Sequence, residues 1–316
     1  MDEKAFRDWL SQYTDCEACM QAFRSQGQFF RVNTLKMPVE RFRSVTRLRC
    51  EPSPYYAAAY ELKEELQIGK TWEYFLGLIH PQSLPSILVS LALGPQPKHE
   101  EVVLDAASAP GSKFSHLAML MENRGVLVGN DLKTEKLSAL YSTINRLNVL
   151  NCITTLKDGT RLGWKRRFTK ILLDAPCTAL GSGPAAYLRW NPEHSKKISY
   201  TQKKMLFSAY DALLPGGELV YSTCTYAKEE NEDVVADLLR NVNGAEQVEI
   251  KLGASGNPAY GAIAEVPHGK GLGEFGDKCW RIYPQHLRSE GFFMAKIRKR
   301  AGAHAEPAAS ADGGGG

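Results

Sequence analysis

Five short apolar runs, each closing on a polar residue, constrain this chain more than anything else in it: Glu101–Asp105, Gly125–Asp131, Cys152–Asp158, Lys170–Asp174 and Gly217–Cys224. Stretches with helical periodicity lie around and between them, over Gln82–Leu93, Ser112–Met121, Lys133–Leu147, Glu193–Leu214 and Glu229–Asn241. Pro192 opens the fourth, and glutamates crowd the start of the last, as the helix macrodipole favours. Gly291–Lys299, with Phe292, Phe293 and Met294, reads as a final strand. Strands alternating with helices call for a mostly parallel sheet covered on both faces, an α/β fold.

The chain before His80 follows another pattern. Phe6, Trp9, Leu10 and Tyr13 recur at helical spacing and predict one helix over residues 3–24. Phe29–Asn33 reads as a strand, and Pro38 as the first-turn proline of a helix over 38–46. Residues 50–80 mix short strand-like and turn-like pieces. The expected organisation is a small α+β unit over 1–78, a larger α/β unit over 79–300, and a disordered Ala/Gly/Pro-rich tail over 301–316.

The 316 residues suffice for one large or two moderate domains. No run of 18 apolar residues is present, so no transmembrane helix is expected, and Met1–Lys4 does not open like a secretory signal. Seven scattered cysteines fit free thiols in a reducing cytoplasm. Cys16, Cys50, Cys152 and Cys279 read as small buried hydrophobes. Cys16 and Cys19 form a Cys-x-x-Cys pair, but no second pair or histidine follows at zinc spacing, and no metal is expected. The net charge of +4 is compatible with a polyanionic partner without requiring one.

In a doubly wound sheet, ligands bind beyond the carboxyl ends of the strands. Asp105, Asp131, Asp158 and Asp174 all fall at such ends. Asp131 lies 20 residues after Gly111, a spacing that suits a carboxylate on ribose hydroxyls. The turn Ala107-Ser108-Ala109-Pro110-Gly111 lacks the Gly-x-Gly-x-x-Gly spacing of a pyrophosphate cradle. S-adenosylmethionine, which has a ribose and an adenine but no phosphate, fits better. The turn would approach its methionine end, Asp158 would accept from the adenine amino group, and Lys136 completes the expected contacts. Lys113 would hold a carboxylate, the cofactor's or a neighbouring aspartate's.

Asp105-Ala-Ala-Ser-Ala-Pro-Gly-Ser-Lys113 resembles the Asp-x-Cys-Ala-Ala-Pro-Gly-Gly-Lys motif of the RNA (cytosine-5)-methyltransferases, the NSUN/Sun family. Asp174-Ala-Pro-Cys177 and Tyr221-Ser-Thr-Cys224, followed by Glu229-Glu-Asn-Glu232, resemble two further motifs. Phe30-Arg-Val-Asn-Thr-Leu-Lys36, Arg281-Ile-Tyr-Pro284 and Gly291-Phe-Phe-Met-Ala-Lys296 extend the likeness over about residues 28–299. Ala107 and Ser112 depart from the first motif at positions that supply no chemistry. Thr178–Gly183 departs from the Ser-Gly that commonly follows Cys177 in the family.

The resemblance implies a Rossmann-like S-adenosylmethionine-dependent methyltransferase sheet with a small N-terminal α+β domain. It implies that Cys224 adds to carbon 6 of a cytosine, Asp174 hydrogen-bonds the base, and Cys177 assists release. RNA is the implied partner, tRNA first and rRNA second, for a monomeric enzyme. His80, Gln82 and Ser83 would help wall the pocket. Basic clusters at Lys165–Arg167, at Lys196, Lys197, Lys203 and Lys204, and at Lys296–Arg300 are candidates for the phosphate path. Arg189-Trp190-Asn191-Pro192 would hold the extruded nucleotide, with Trp190 as a core residue the equal alternative. Gly253–Lys278 reads either as a loop over the site or as a disordered insert. A non-catalytic RNA-binding scaffold is the remote alternative, separated by whether Cys224→Ala abolishes transfer while sparing RNA binding.

Overall fold

The computed structural model describes residues 3–188, 190–252 and 264–302. Arg189, the first part of the Gly253–Lys278 segment and nearly all of the 301–316 tail lie outside them.

The alternating apolar runs form the centre of a nine-stranded sheet. Its parallel part holds β5 (Val102–Asp105), β6 (Val126–Asp131), β7 (Cys152–Leu156), β8 (Phe168–Asp174) and β9 (Leu213–Thr223), ordered β9-β8-β5-β6-β7. Antiparallel strands extend the β9 edge: β13 (Phe292–Lys299) pairs with β9, and β10 (Ala245–Val248) and β12 (Trp280–Ile282) pair with β13. The two-residue β11 (Gly269–Lys270) closes that side and belongs to the segment that reads, from sequence, as a loop or an insert. The order reverses between β5 and β8, which puts the ligand-binding crevice at the carboxyl ends of those strands.

Period-two alternation sorts each strand's side chains between two cores. Val103, Leu172 and Val220 join the core under α5 (Leu84–Leu93), α6 (Ser112–Leu120) and α7 (Thr134–Leu147). Leu104, Ile171, Leu173 and Tyr221 join the one under α8 (Pro192–Ala212) and α9 (Glu232–Asn241). All ten residues of α5 are buried, so this helix is interior rather than amphipathic.

The N-terminal sheet is antiparallel, ordered β2 (Cys50–Pro52), β3 (Ala59–Leu62), β1 (Gln28–Val32), β4 (Ile79–Pro81). It thus reaches three residues past the expected limit at 78. α3 (Val39–Val45) and α4 (Trp72–Phe75) accompany it, with Pro38 as the N-cap of α3 rather than a first-turn residue. Phe30, Tyr60 and Ile79 share one continuous core with α5, α6 and α7.

The single helix expected over 3–24 is two: α1 (Glu3–Leu10) and α2 (Cys16–Arg24), the second capped by the Asp15 side chain accepting from Ala18 N. Apolar periodicity continues across the break and conceals it. These helices pack against Leu180, Ala186, Tyr226 and Tyr283, beside the short α10 (Pro284–Leu287). Trp190 joins them, 6.0 Å from Phe6 and 5.7 Å from Trp9 between ring centroids, which decides for its core reading. Cys16, Cys19 and Cys279 are buried as hydrophobes, whereas Cys50 and Cys152 are only half-buried, against expectation.

Candidate active site

β8 and β9 are adjacent and parallel, with Asp174 in register with Ser222. The two loops leaving these strands therefore start side by side, and they bring the Cys177 and Cys224 sulfurs to 3.3 Å. Further bonds hold this arrangement. Gly181 N donates to Cys224 O at 2.9 Å, and Gly291 N donates to Gly181 O at 2.8 Å. The Thr178 and Thr225 hydroxyls, one residue past each cysteine, are 2.9 Å apart.

Glu230 closes the assembly. It accepts from Thr178 N (2.9 Å), Thr178 Oγ1 (2.6 Å) and Gln202 Nε2 (3.2 Å), while Tyr221 donates to its carbonyl at 2.6 Å. Asn231 bridges Thr223 and the Thr225 carbonyl. Glu232 forms a buried ion pair with Arg281, which donates to Tyr226 O. The acidic run after Cys224 is thus the frame of the thiol pair. Its electrostatics follow: the hydrogen bond to Cys224 and burial push the Cys177 thiol well above its ordinary range, so this sulfur keeps its proton at neutral pH.

Asp174 is fixed from two sides, its Oδ2 by Lys113 Nζ at 2.7 Å and its Oδ1 by Ser222 Oγ at 2.8 Å. Lys113 thus holds a neighbouring aspartate, one of the two partners expected for it. Asp105 lies behind, 1% exposed, its Oδ1 without a hydrogen-bond partner among the described residues. Burial and then the nearby Asp174 charge raise its carboxyl to about 7.

Two cavities meet at Asp174. The smaller, about 470 Å³, is lined by Ala107, Ala109, Asp131, Lys136, Asp158, Cys177 and Cys224 among others. That is a cofactor-sized volume. Asp131 accepts from Ala109 N at Oδ2 (3.3 Å) and from Leu132 N at Oδ1 (2.8 Å). Asp158 caps a short turn through Thr160 N and Oγ1, bonds that hold its carboxyl below the usual range. Leu132, 59% exposed, offers an apolar platform that reading the acidic residues missed. Gly111 opens α6 at φ +107°, where a Cβ would lie 2.9 Å from Leu140 Cδ1, so only glycine serves there.

The larger cavity, about 660 Å³, lies on the other side of the 107–111 turn. Ser108, Pro110 and Lys113 face it rather than the smaller one, and Gly111 lines neither. Gln82 and Ser83 form its wall as expected, joined by Glu290, which takes the Ser83 hydroxyl hydrogen bond. His80 stands one layer behind. Arg146 donates to its Nδ1 at 2.7 Å, so Nε2 carries the hydrogen and meets Ser112 Oγ at 2.9 Å. Burial and then the Arg31 and Arg146 charges hold His80 well below its ordinary range, hence neutral.

Part of the expected phosphate path is consumed by the fold. Lys296 and Arg298, with Lys170, converge on Glu218, and Lys299 is buried against the Tyr210 carbonyl and ring.

A family model described as 16S rRNA methyltransferase RsmB/F matches residues 91–298. The chain is 34% identical to the ribosomal RNA small subunit methyltransferase F of Serratia proteamaculans, over 89% of this chain and 58% of that protein. It thus spans well under two thirds of that relative. It is 36% identical to the tRNA (cytosine(49)-C(5))-methyltransferase of Pyrococcus abyssi, over 85% of this chain and 87% of that one. Among solved structures, a methyltransferase homolog from Pyrococcus horikoshii superposes with a TM-score of 0.74 at 32% identity, covering 95% of this chain and all of that one. NSun6 from the same organism, with SFG, gives 0.79 at 24% identity over 93% and 97%, a likeness of fold.

Proposed function

Because the chain belongs to the 16S rRNA methyltransferase RsmB/F family, we propose that it transfers a methyl group from S-adenosylmethionine to carbon 5 of a cytosine in RNA. One observation carries this reading: two thiols 3.3 Å apart on the wall of the smaller cavity, with a doubly anchored aspartate where the larger cavity meets it.

We assign the smaller cavity to the cofactor, with Asp131 toward the ribose hydroxyls, Leu132 and Asp158 toward the adenine, and Lys136 at the rim. Its volume and its acidic strand ends fit a nucleoside without phosphates. When bound, S-adenosylmethionine supplies an electrophilic methyl group on a sulfonium. The larger cavity, which shares Asp174 with the smaller, is assigned to the extruded cytosine, which must leave its stack to reach the site.

Carbon 5 of cytosine is a poor nucleophile. Addition of the Cys224 thiolate to carbon 6 forms a C–S bond and moves the ring electron pair toward carbon 5 and N3. Asp174 is oriented by Lys113 and Ser222 to accept a hydrogen bond from the amino group on the base edge. Carbon 5 then takes the methyl group. Water takes the carbon 5 proton, the freed electron pair re-forms the carbon 5–carbon 6 double bond, and the carbon 6–sulfur bond breaks to return the Cys224 thiolate. Cys177, in contact with that sulfur, is assigned to this release.

tRNA is the first substrate reading, supported by the Pyrococcus abyssi relative. 16S rRNA is the second, supported by the family model. A monomer in the cytoplasm accompanies both, consistent with seven free thiols. Among the described residues no helix is long and apolar enough to cross a membrane.

The test is a covalent trap. Cys177→Ala protein with cofactor and mixed tRNA and rRNA should give a protein–RNA adduct on denaturing gels, absent when Cys224→Ala is added, and sequencing the trapped RNA names the substrate. Methyl transfer surviving in Cys224→Ala would remove Cys224 from the nucleophile role.

A further inference from the structure

Two basic clusters that lie about forty residues apart in sequence share one groove, of about 610 Å³. One wall is a face of α8. Tyr200, Lys203, Lys204, Phe207 and Ser208 stand at positions i, i+3, i+4, i+7 and i+8 and so stack along one side of the helix. The opposite wall is the loop carrying Arg161, Trp164 and Lys165. Lys197, three residues before Tyr200, continues the helical stripe toward the helix start.

Chemistry and position both point to a strand of nucleic acid. Tyr200 is 63% exposed, with Lys204 Nζ 4.3 Å from its ring centroid, and Lys157 Nζ is 5.1 Å from the Trp164 ring centroid. Trp164 is half-buried against the core, so Tyr200 is the accessible ring of the two; lysines for phosphates beside an accessible ring for a base are the elements with which proteins hold unpaired nucleotides. Two carboxylates, Asp211 and Asp237, line the groove against four cations, and Lys203 leans on Asp237 at 3.6 Å. The groove also adjoins the smaller cavity. Thr160 lines both it and the smaller cavity, and the adjoining face of α8 presents Thr201 and Met205 to that cavity.

We propose that this groove binds a single-stranded segment of RNA flanking the target nucleotide, anchored by Lys203, Lys204 and Arg161 and stacked on Tyr200. The proposal rests on the RNA methyltransferase reading and gives it a second RNA-binding surface, separate from the cavity assigned to the cytosine.

The experiment uses the full chain and a fluorescein-labelled single-stranded oligocytidylate, with mixed tRNA and rRNA as the methylation substrate. Affinity is measured by anisotropy across a series of KCl concentrations, and methyl transfer is measured in parallel. The Lys203→Gln, Lys204→Gln double variant should bind roughly tenfold more weakly at moderate salt. Its log–log salt slope should be shallower by about 1.4, at about 0.7 for each phosphate no longer neutralised. Tyr200→Ala should weaken binding by roughly tenfold with an unchanged slope, the signature of abolished stacking. In both, KM should rise while the single-turnover rate at saturating RNA stays at the wild-type value.

Wild-type affinity and slope in both variants, with methyl transfer intact, would overturn the groove and leave the function standing. Weakened RNA binding by the variants, beside a wild-type protein that methylates no cytosine, would uphold the groove and overturn the function. A fall in the saturated rate without a change in affinity would show that these side chains serve the fold of α8 and would overturn the proposal.

Discussion

The Glu230 carboxylate grips Thr178 twice, at its backbone nitrogen (2.9 Å) and its hydroxyl (2.6 Å), and through that hydroxyl reaches Thr225. One buried side chain thus sets the spacing of the loops bearing Cys177 and Cys224. Glu230→Ala should lower the single-turnover methylation rate by about 10²-fold, the scale of an ångström-sized misplacement. RNA affinity should be unchanged. Glu230→Gln, which keeps one acceptor oxygen, should recover much of the loss.

Asp105 gives the fold a pH dependence of known sign. Its carboxyl rises from 3.8 in the free state to about 7 in the folded one. Between those values the folded state holds a proton that the unfolded state has released, so stability falls as pH rises through this window. Asp105→Asn carries no such charge. Urea titrations at pH 5.5 and pH 8 should therefore show the variant gaining on the wild type by on the order of 2 kcal/mol. An equal difference at both pH values would contradict the assignment.

Arg281 and Glu232 are a buried pair, with Arg281 2% exposed. Arg281→Met leaves a carboxylate in the interior and should cost about 3–5 kcal/mol. The double variant Arg281→Met, Glu232→Leu should lie much nearer the wild type in stability. It should still lose methylation, because Arg281 also holds Tyr226 O, two residues past Cys224. Denaturant midpoints and transfer rates measured on the same samples separate the two effects.

Gly291 lies against the Tyr226 ring so closely that an added Cβ would overlap its hydroxyl and ring edge. Gly291→Ala should destabilise by about 1–3 kcal/mol, the usual range for overpacking. Because Gly291 N also bonds Gly181 O, the Cys177 loop should shift with it. Faster alkylation of Cys177 by iodoacetamide would report that shift.

Much of this architecture is legible in the order of residues, for identifiable reasons. Interior parallel strands bury both faces, so their continuous apolar runs stand out, as Ile171, Leu172 and Leu173 do in β8. Asp174 and Cys177 mark where that run ends. The strands β10, β11 and β12 have two to four residues each and owe their existence to their partners, β13 for β10 and β12 and β12 for β11, so no local pattern marks them. The break between α1 and α2 is hidden because Phe6, Leu10 and Phe23 all serve the same cluster. In the site, the cysteines, Asp174 and Lys113 follow from motifs. Glu290 and Leu132 do not, because nothing in their own neighbourhoods distinguishes a cavity wall from an exposed loop. Asp105 reads as one strand-end carboxylate among several, and only its burial sets it apart.

The stitch from Gly181 to Gly291 also orders events during synthesis. The loop carrying Cys177 is made early, yet one of its backbone partners comes 110 residues later, and β13, which flanks the Cys224 strand, later still. On the ribosome this bond and the β9–β13 pairing cannot form until those residues have emerged, well after both cysteines, so the last-made strand adds the final restraint on the loops that carry them.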